Sequence, residues 1–147
     1  MERTHHTLFP DGFRHEVQKT VTARDIYLWA ALIGDRAPVS RVSAFAQQAT
    51  IVHHIAPDAY LTSLVVVSAA GLAARLPPPG AIMTTLRMHF AAPVLVGTTL
   101  SVVVTVATWD SVTGLYWLDI RMTGADGALA MVGAAGLRPR TSLLAAV

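Results

Sequence analysis

The stretch DAYLTSLVVVSAAGLAARLPPPG, residues 58–80, determines the fold of this chain more than any other. From Ala59 to Arg75 it is a long run of apolar and small residues. Such a run predicts a helix that is apolar on all sides, which other elements must surround. Asp58 can cap the start of this helix. Residues 76–80, LPPPG, predict a linker after it, because proline and glycine favour turns and loops.

After Gly80 the apolar period changes from 3.6 to 2, which predicts a run of strands. The expected strands span residues 81–91, 98–109, 115–123 and 128–138. The sequence GADG at 124–127 predicts a tight hairpin turn between the last two strands.

Ahead of the long helix, the chain predicts one strand and two shorter helices. Residues 13–21 favour a strand, and Thr22 with Asp25 forms a capping box that begins a helix ended by Gly34. A second short helix is expected over 44–54. Because the helices come before a run of antiparallel strands, the pattern predicts an α+β fold rather than a parallel βαβ fold.

The composition indicates one domain whose surface is partly covered. The 147 residues predict a loose arm over 1–12, a single domain over 13–140 and a tail over 141–147. Hydrophobic residues make up 53% and charged residues 14%, against a usual charged share of roughly 25%. This excludes a disordered chain and predicts a dimer or a larger assembly.

Several function classes are excluded by charge and cysteine content. The net charge is only +2, and no basic run is present, so nucleic acid is not an expected partner. The charge-free run from Met88 to Trp109 contains Pro93 and Gly97, so we expect strands there and no membrane segment. The N-terminus has no apolar core typical of a secretory signal. The absence of cysteine excludes thiolate metal sites and fits a cytoplasmic protein.

Three stretches together resemble one family. They are TARDI at 22–26 with GDRAP at 34–38, then IAPDAYLTSL at 55–64, and finally LPPPGAI at 76–82 with FAAPV at 90–94 and VGT at 96–98. In order and spacing they are similar to the MaoC-like hot-dog proteins, which include (R)-specific enoyl-CoA hydratases and related acyl-thioester dehydratases. The resemblance covers residues 15–138.

The resemblance implies a hot-dog fold, in which a curved antiparallel sheet wraps around one long helix, usually in a dimer. It implies a substrate carried as a thioester on coenzyme A or an acyl carrier protein, with no cofactor or metal. In the family, water adds across a trans-2-enoyl thioester or leaves a 3-hydroxyacyl thioester. An Asp and a His handle the water, and a backbone amide at the start of the central helix stabilises the thioester oxygen.

The family's catalytic loop is only partly preserved here. That loop has the pattern Asp-any-Asn-Pro-any-His, in which Asp35 and Pro38 are retained, while Ala37 replaces Asn and Ser40 replaces His. A serine hydroxyl is no base near neutral pH. The resemblance therefore implies a rebuilt site with Asp35 and Ser40 as catalytic residues. His53 or His54 is a candidate for the missing base.

The family's helix start is also altered. Where the family usually has His-Gly, this chain has Pro57 and Asp58, whereas Ser63 matches a family serine. The resemblance implies that Asp58, Ala59 and Ser63 contact the substrate. Two interpretations of the Asp58 carboxylate are open. It either lies beside the oxyanion and opposes catalysis, or turns back to cap the helix and leaves the amide free.

Three functions remain open at this point. The first is a hydratase or dehydratase that uses Asp35 in a rebuilt site. The second is a non-catalytic subunit that binds the acyl thioester within a hot-dog heterodimer, and the third is a hot-dog thioesterase. Trp29 and Tyr60 are expected in the core or at a dimer interface, or alternatively along an acyl tunnel. His5, His6 and His15 lack metal-ligand spacing and are expected in the solvated arm.

Overall fold

The computed structural model describes residues 9–35, 55–76 and 80–140. Its elements, in chain order, are β1 Arg14–Thr20, α1 Ala23–Ile33, α2 Asp58–Ala73, β2 Ala81–Phe90, β3 Thr99–Asp110, β4 Leu115–Gly124 and β5 Leu129–Pro139. The five predicted strands are confirmed to within one residue at each end. The helix expected over 44–54 lies outside the described residues.

The strands form a single antiparallel sheet in the order β1-β3-β4-β5-β2. Side chains alternate between its two faces, because successive residues of a strand point in opposite directions. On β3, Leu100, Val102, Val104 and Val106 are buried, while the residues between them are partly exposed. One face of the sheet is therefore apolar and must be covered.

Helix α2 covers that apolar face and contacts β1, β2 and β3. Leu61, Val65 and Leu72 of this helix are fully buried against the sheet. This confirms the α+β prediction. The sheet covers only one side of α2, however, because Val66 and Val67 on its other side are 40% and 64% exposed. Within the described residues, no helix is long and apolar enough to cross a membrane.

Helix α1 begins and ends as its sequence predicts. The Thr22 hydroxyl accepts a hydrogen bond from the Asp25 amide at 3.1 Å, and Asp25 Oδ2 accepts one from the Thr22 amide at 3.0 Å. The capping box is thus confirmed. Gly34 ends the helix with a φ of 74°, a conformation that favours glycine.

Two residues expected in the arm contact the domain instead. Phe9 is buried, and its ring centroid lies 5.0 Å from that of Phe13 and 5.6 Å from that of Tyr116. His15 lies on the inner side of β1, where its ring packs against α2. A Cβ atom on Gly71 would lie 2.5 Å from His15 Nε2. The prediction that His15 is solvated is wrong, because the alternation of β1 turns it toward the helix.

Strands β2 and β5 leave no room for a side chain at Gly133, which pairs with Met88. A Cβ atom at Gly133 would overlap the carbonyl oxygen of Arg87 and the sulfur of Met88. Gly133→Ala should therefore lower the free energy of unfolding by roughly 1–3 kcal/mol, since the backbone must shift. Urea denaturation followed by circular dichroism measures this change.

The matched control is Gly136→Ala on the same strand. There the nearest atoms, on Leu115 and Thr84, lie 3.4 Å from the added Cβ, so the free energy of unfolding should fall by less than in Gly133→Ala. Equal stabilities of the two variants would contradict the close approach of β2 and β5 at Gly133.

Candidate functional site

The start of α2 is an uncapped helix N-terminus. Its N-cap residue is Pro57, which has extended backbone and provides no side-chain hydrogen bond. The Leu61 amide donates to the Pro57 carbonyl at 3.1 Å. The amides of Asp58, Ala59 and Tyr60 precede this first helical bond and have no acceptor within the helix. The helix dipole places partial positive charge at this end, which suits an anion or a polarised carbonyl oxygen.

Asp58 is the first residue of the helix rather than its cap. The expectation that its side chain caps the helix is wrong, because Pro57 occupies the N-cap position. Instead, the Asp58 carbonyl accepts a hydrogen bond from the Thr62 hydroxyl at 2.9 Å, and the Asp58 side chain is exposed. Its negative charge stabilises the helix dipole, but opposes any second negative charge near these amides.

Ser63 lies in the second turn of α2 and is partly buried. Its Oγ donates a hydrogen bond to the Tyr60 carbonyl at 2.6 Å. The hydroxyl hydrogen is therefore already engaged, while the lone pairs of Oγ can still accept a bond. In this rotamer, Ser63 can accept a hydrogen bond from a ligand but cannot donate one.

Asp35 directly follows the C-terminal glycine of α1. Its amide donates to the Ala30 carbonyl at 2.8 Å, and the residue is partly buried. Of the predicted catalytic residues, Asp35 lies in the described part of the chain. Ser40, His53 and His54 lie outside it, and their roles remain predictions.

Trp29 and Tyr60 join α1 to the first turn of α2. Their rings meet edge to face, with centroids 5.9 Å apart and an interplanar angle of 84°. Tyr60 is 5% exposed and belongs to the hydrophobic core, and Trp29 packs against that core. This supports the core interpretation of both residues. The helix that precedes Asp35 is thus in contact with the helix that begins at Asp58.

A polar network ties the start of α1 to β1. Lys19 Nζ lies 2.9 Å from Asp25 Oδ2, and the Thr22 hydroxyl donates to the same oxygen at 2.7 Å. The Thr22 hydrogen bond, followed by that of Lys19, lowers the pKa of Asp25, and the Asp25 hydrogen bond raises the pKa of Lys19. Both groups therefore stay charged over the neutral range. No spacing pattern in the sequence pairs Asp25 with Lys19, although Lys19 is the only lysine in the chain.

The Tyr60 phenol lies near this ion pair. Burial, followed by the negative charge of Asp25, raises the pKa of Tyr60, while Lys19 lowers it to a smaller extent. The pKa of Tyr60 is therefore raised overall, so the phenol remains protonated and can act as a hydrogen-bond donor. No hydrogen bond joins its hydroxyl to another residue in the described ranges.

A recess of about 200 Å³ lies where β3 begins and β4 ends. Val94 and Leu95 line it, and both also contact the residues just before α2. The Ala56 amide donates to the Val94 carbonyl at 2.8 Å, and Ile55 bridges to Leu95. Asp126 is the one charged residue among its described lining residues. The recess therefore suits an apolar group rather than a phosphate.

Within ranges 9–35, 55–76 and 80–140, no group of three or more His, Asp or Glu residues could hold a metal ion.

Comparison with known proteins identifies the family. A sequence profile described as "FAS1-like, dehydratase domain region" matches residues 11–128, which is more than half of the 147 residues. The chain belongs to the FAS1-like dehydratase domain family. The predicted resemblance to MaoC-like hot-dog hydratases and dehydratases is thereby confirmed.

Curated relatives of this dehydratase-domain chain act on coenzyme A thioesters, according to their names. It is 32% identical over 96 residues to a 3-hydroxybutyryl-CoA dehydratase of Methylorubrum extorquens, covering 65% of this chain and 59% of the relative. It is 34% identical over 96 residues to an (R)-specific enoyl-CoA hydratase of Rhodospirillum rubrum, covering 65% of each. The aligned part is less than two thirds of either relative.

The fold of this dehydratase-domain chain matches a solved hydratase. The (R)-hydratase PhaJ1 of Pseudomonas aeruginosa superimposes with a TM-score of 0.77 at 27% identity, over 89% of this chain and 82% of that one. The predicted hot-dog fold is confirmed.

Proposed function

We propose that this chain is a hydratase or dehydratase of acyl thioesters, with the thioester carbonyl bound at the start of α2. The observation that carries the proposal is the uncapped N-terminus, where the amides of Asp58 and Ala59 have no side-chain partner. The family match and the two thioester-acting relatives support it. Asp35 follows α1, the helix whose Trp29 contacts Tyr60. We assign Asp35 as the acid–base group.

In the hydration direction, the Asp35 carboxylate accepts a proton from water while the water oxygen bonds to C3 of the enoyl thioester. The π electron pair of the C2=C3 bond forms a C1=C2 bond while the π pair of the carbonyl moves onto the thioester oxygen, and the amides of Asp58 and Ala59 stabilise the resulting negative charge. The proton then passes from Asp35 to C2 as the carbonyl re-forms. Dehydration is the reverse of these steps, and neither direction consumes Asp35.

The proposed substrate class is supported by the names of the two relatives and by the apolar recess near the start of α2. The two relatives are named for 3-hydroxybutyryl-CoA and enoyl-CoA, so we assign a short trans-2-enoyl or 3-hydroxyacyl group on coenzyme A. An acyl carrier protein presents the same thioester. Ser40 would hold the water, with His53 or His54 as the additional base. Ser63 would accept a hydrogen bond from the ligand.

A second candidate is a non-catalytic subunit that binds the thioester while another hot-dog chain supplies the catalytic pair. The exposed Asp58 carboxylate favours this alternative, because it opposes an oxyanion at the same helix end. Loss of a positioned base also costs roughly 10²–10⁴-fold in rate. Both candidates share thioester binding and differ in whether Asp35 performs chemistry.

If the chain is an enzyme, Asp35→Ala should lower kcat/KM for hydration of crotonyl-CoA by at least about 100-fold. Binding of the thioester should persist, because the amides of α2 are unchanged. Loss of enoyl absorbance measures the rate. Asp119→Ala is the matched control, since Asp119 is exposed on β4, and it should leave the rate unchanged.

If the wild type shows no hydration, the non-catalytic alternative is favoured. The combined variant Ala37→Asn, Ser40→His and Asp58→Gly should then acquire partial activity, because Asp35 already provides half of the pair. Hydration at ordinary enzyme rates that Asp35→Ala does not diminish would contradict both candidates and direct attention to His53 and His54.

We also propose that a second hot-dog chain, most simply another copy, covers the outer side of α2. Val66 and Val67 are exposed there, and Ala59, Ala70 and Ala74 on the same side are exposed as well. An apolar stripe of this kind along a central helix is typical of an interface between subunits. The thioester site at the start of α2 would then lie at the edge of that interface.

Val67→Glu should therefore shift the equilibrium between assembled and monomeric protein toward the monomer, since it places a charge in the apolar interface. Val112→Glu is the matched control, because Val112 is 93% exposed in the turn between β3 and β4. Multi-angle light scattering at micromolar concentration measures the molar mass of the wild type and of both variants. A monomeric wild type, or equal masses for the two variants, would contradict the interface.

A further inference from the structure

We propose that Tyr60 is a positioning residue. Its ring contact with Trp29 holds α1 against the first turn of α2, and thereby sets where Asp35 lies relative to the amides of Asp58 and Ala59. The role of Asp35 rests on the proposed function, whereas the contact itself does not. No family comparison supplies this assignment, which comes from the way the two helices are held.

The first turn of α1 is fixed to the sheet by polar contacts. Just before the helix, the Val21 amide donates to the Thr98 carbonyl at 2.9 Å, and Val21 accepts from the Gly97 amide at 2.7 Å. The capping box and the Lys19–Asp25 ion pair follow immediately. The start of α1 is therefore anchored independently of Tyr60.

The rest of α1 is held mainly through apolar contacts on one side. Ile26 and Ala30 are buried, and Trp29 packs against the core. Tyr27 and Leu32 on the outer side are exposed. Trp29 lies six residues before Asp35, in the half of α1 that ends at the acid. A change at its contact should therefore move the end of α1 more than its anchored start.

Tyr60 is suited to this role by its place in α2. Side chains of a helix lean toward its N-terminus, so a first-turn ring lies beside the end that offers free amides. Tyr60 is almost fully buried, and it meets Trp29 edge to face, a geometry that aromatic rings prefer. Because catalysis depends on placement within about 1 Å, loosening this contact should slow the reaction by about 10²-fold.

The experiment compares Tyr60→Leu, which removes the ring, with Tyr60→Phe, which keeps the ring and removes the hydroxyl. Tyr116→Leu is the control, because Tyr116 is also a buried tyrosine paired with a tryptophan, Trp109, at 4.6 Å. That pair lies at the other end of β3 and β4 from the start of α1. Hydrogen exchange of residues 23–33 and steady-state hydration of crotonyl-CoA are measured for each variant.

In Tyr60→Leu, amides in the second half of α1 should exchange at least about tenfold faster than in the wild type. The value of kcat should fall about 10²-fold, with KM changed less than about threefold. Tyr60→Phe should keep amide exchange in α1 and kcat close to their wild-type values. Tyr116→Leu should not accelerate exchange in α1. If Tyr60→Leu does not fold, Trp29→Leu tests the same contact from the other helix.

Unchanged exchange in α1, or equal acceleration in Tyr60→Leu and Tyr116→Leu, would overturn the proposal. Faster exchange with an unchanged kcat would also overturn it, because Asp35 would not depend on the contact. A Tyr60→Phe variant as impaired as Tyr60→Leu would assign the effect to the hydroxyl instead. If exchange responds as expected but the wild type is inactive, the contact holds α1 and the proposed catalytic function fails.

Discussion

The arrangement of the other elements depends on the burial of α2 against one face of the five-stranded sheet. Leu61, Val65 and Leu72 are fully removed from water, and each such side chain contributes about 1.5–3 kcal/mol. The helix can keep this contact only if its axis lies across the inner face, which sets its first turn near the residues that precede β3. The free amides, the end of α1 and the apolar recess therefore meet at one end of the sheet. The position of the candidate functional site at this end is a consequence of how the core is packed.

Most of the fold could be predicted because it depends on local periodicity. The alternation of β3 and the capping box at Thr22 are short-range signals, and the structure contains both. One error concerns a long-range contact, and the other concerns a local helix boundary. His15 has a polar side chain, which suggested solvent exposure, but the register of β1 turns it toward Gly71. Asp58 is a common capping residue, yet Pro57 occupies the capping position, because the helix begins one residue earlier than its apolar run indicates.

The candidate site could be predicted only as a set of positions in the chain. The resemblance identified Asp35, Asp58 and Ser63, but gave no indication that Ser63 donates its hydrogen to the Tyr60 carbonyl. The Trp29–Tyr60 contact and the Lys19–Asp25 pair join residues that are distant in sequence or belong to different elements, and no spacing rule predicts them. The Trp29–Tyr60 contact is the one that we propose to position Asp35 relative to the start of α2. The chain thus keeps the framework of the family while its polar groups have changed.

Calorimetric titration of two variants with crotonyl-CoA tests whether the thioester oxygen binds the Asp58 amide. Asp58→Ala removes the carboxylate and keeps the amide hydrogen. Asp58→Pro removes both, and proline is tolerated at this first helical position, since Pro57 already has the extended backbone, with ψ of 139°, that precedes proline. Asp58→Ala should bind crotonyl-CoA at least as tightly as the wild type, and Asp58→Pro should bind it about tenfold more weakly than Asp58→Ala. Equal affinity of the two variants for crotonyl-CoA would contradict binding of the thioester oxygen to the Asp58 amide.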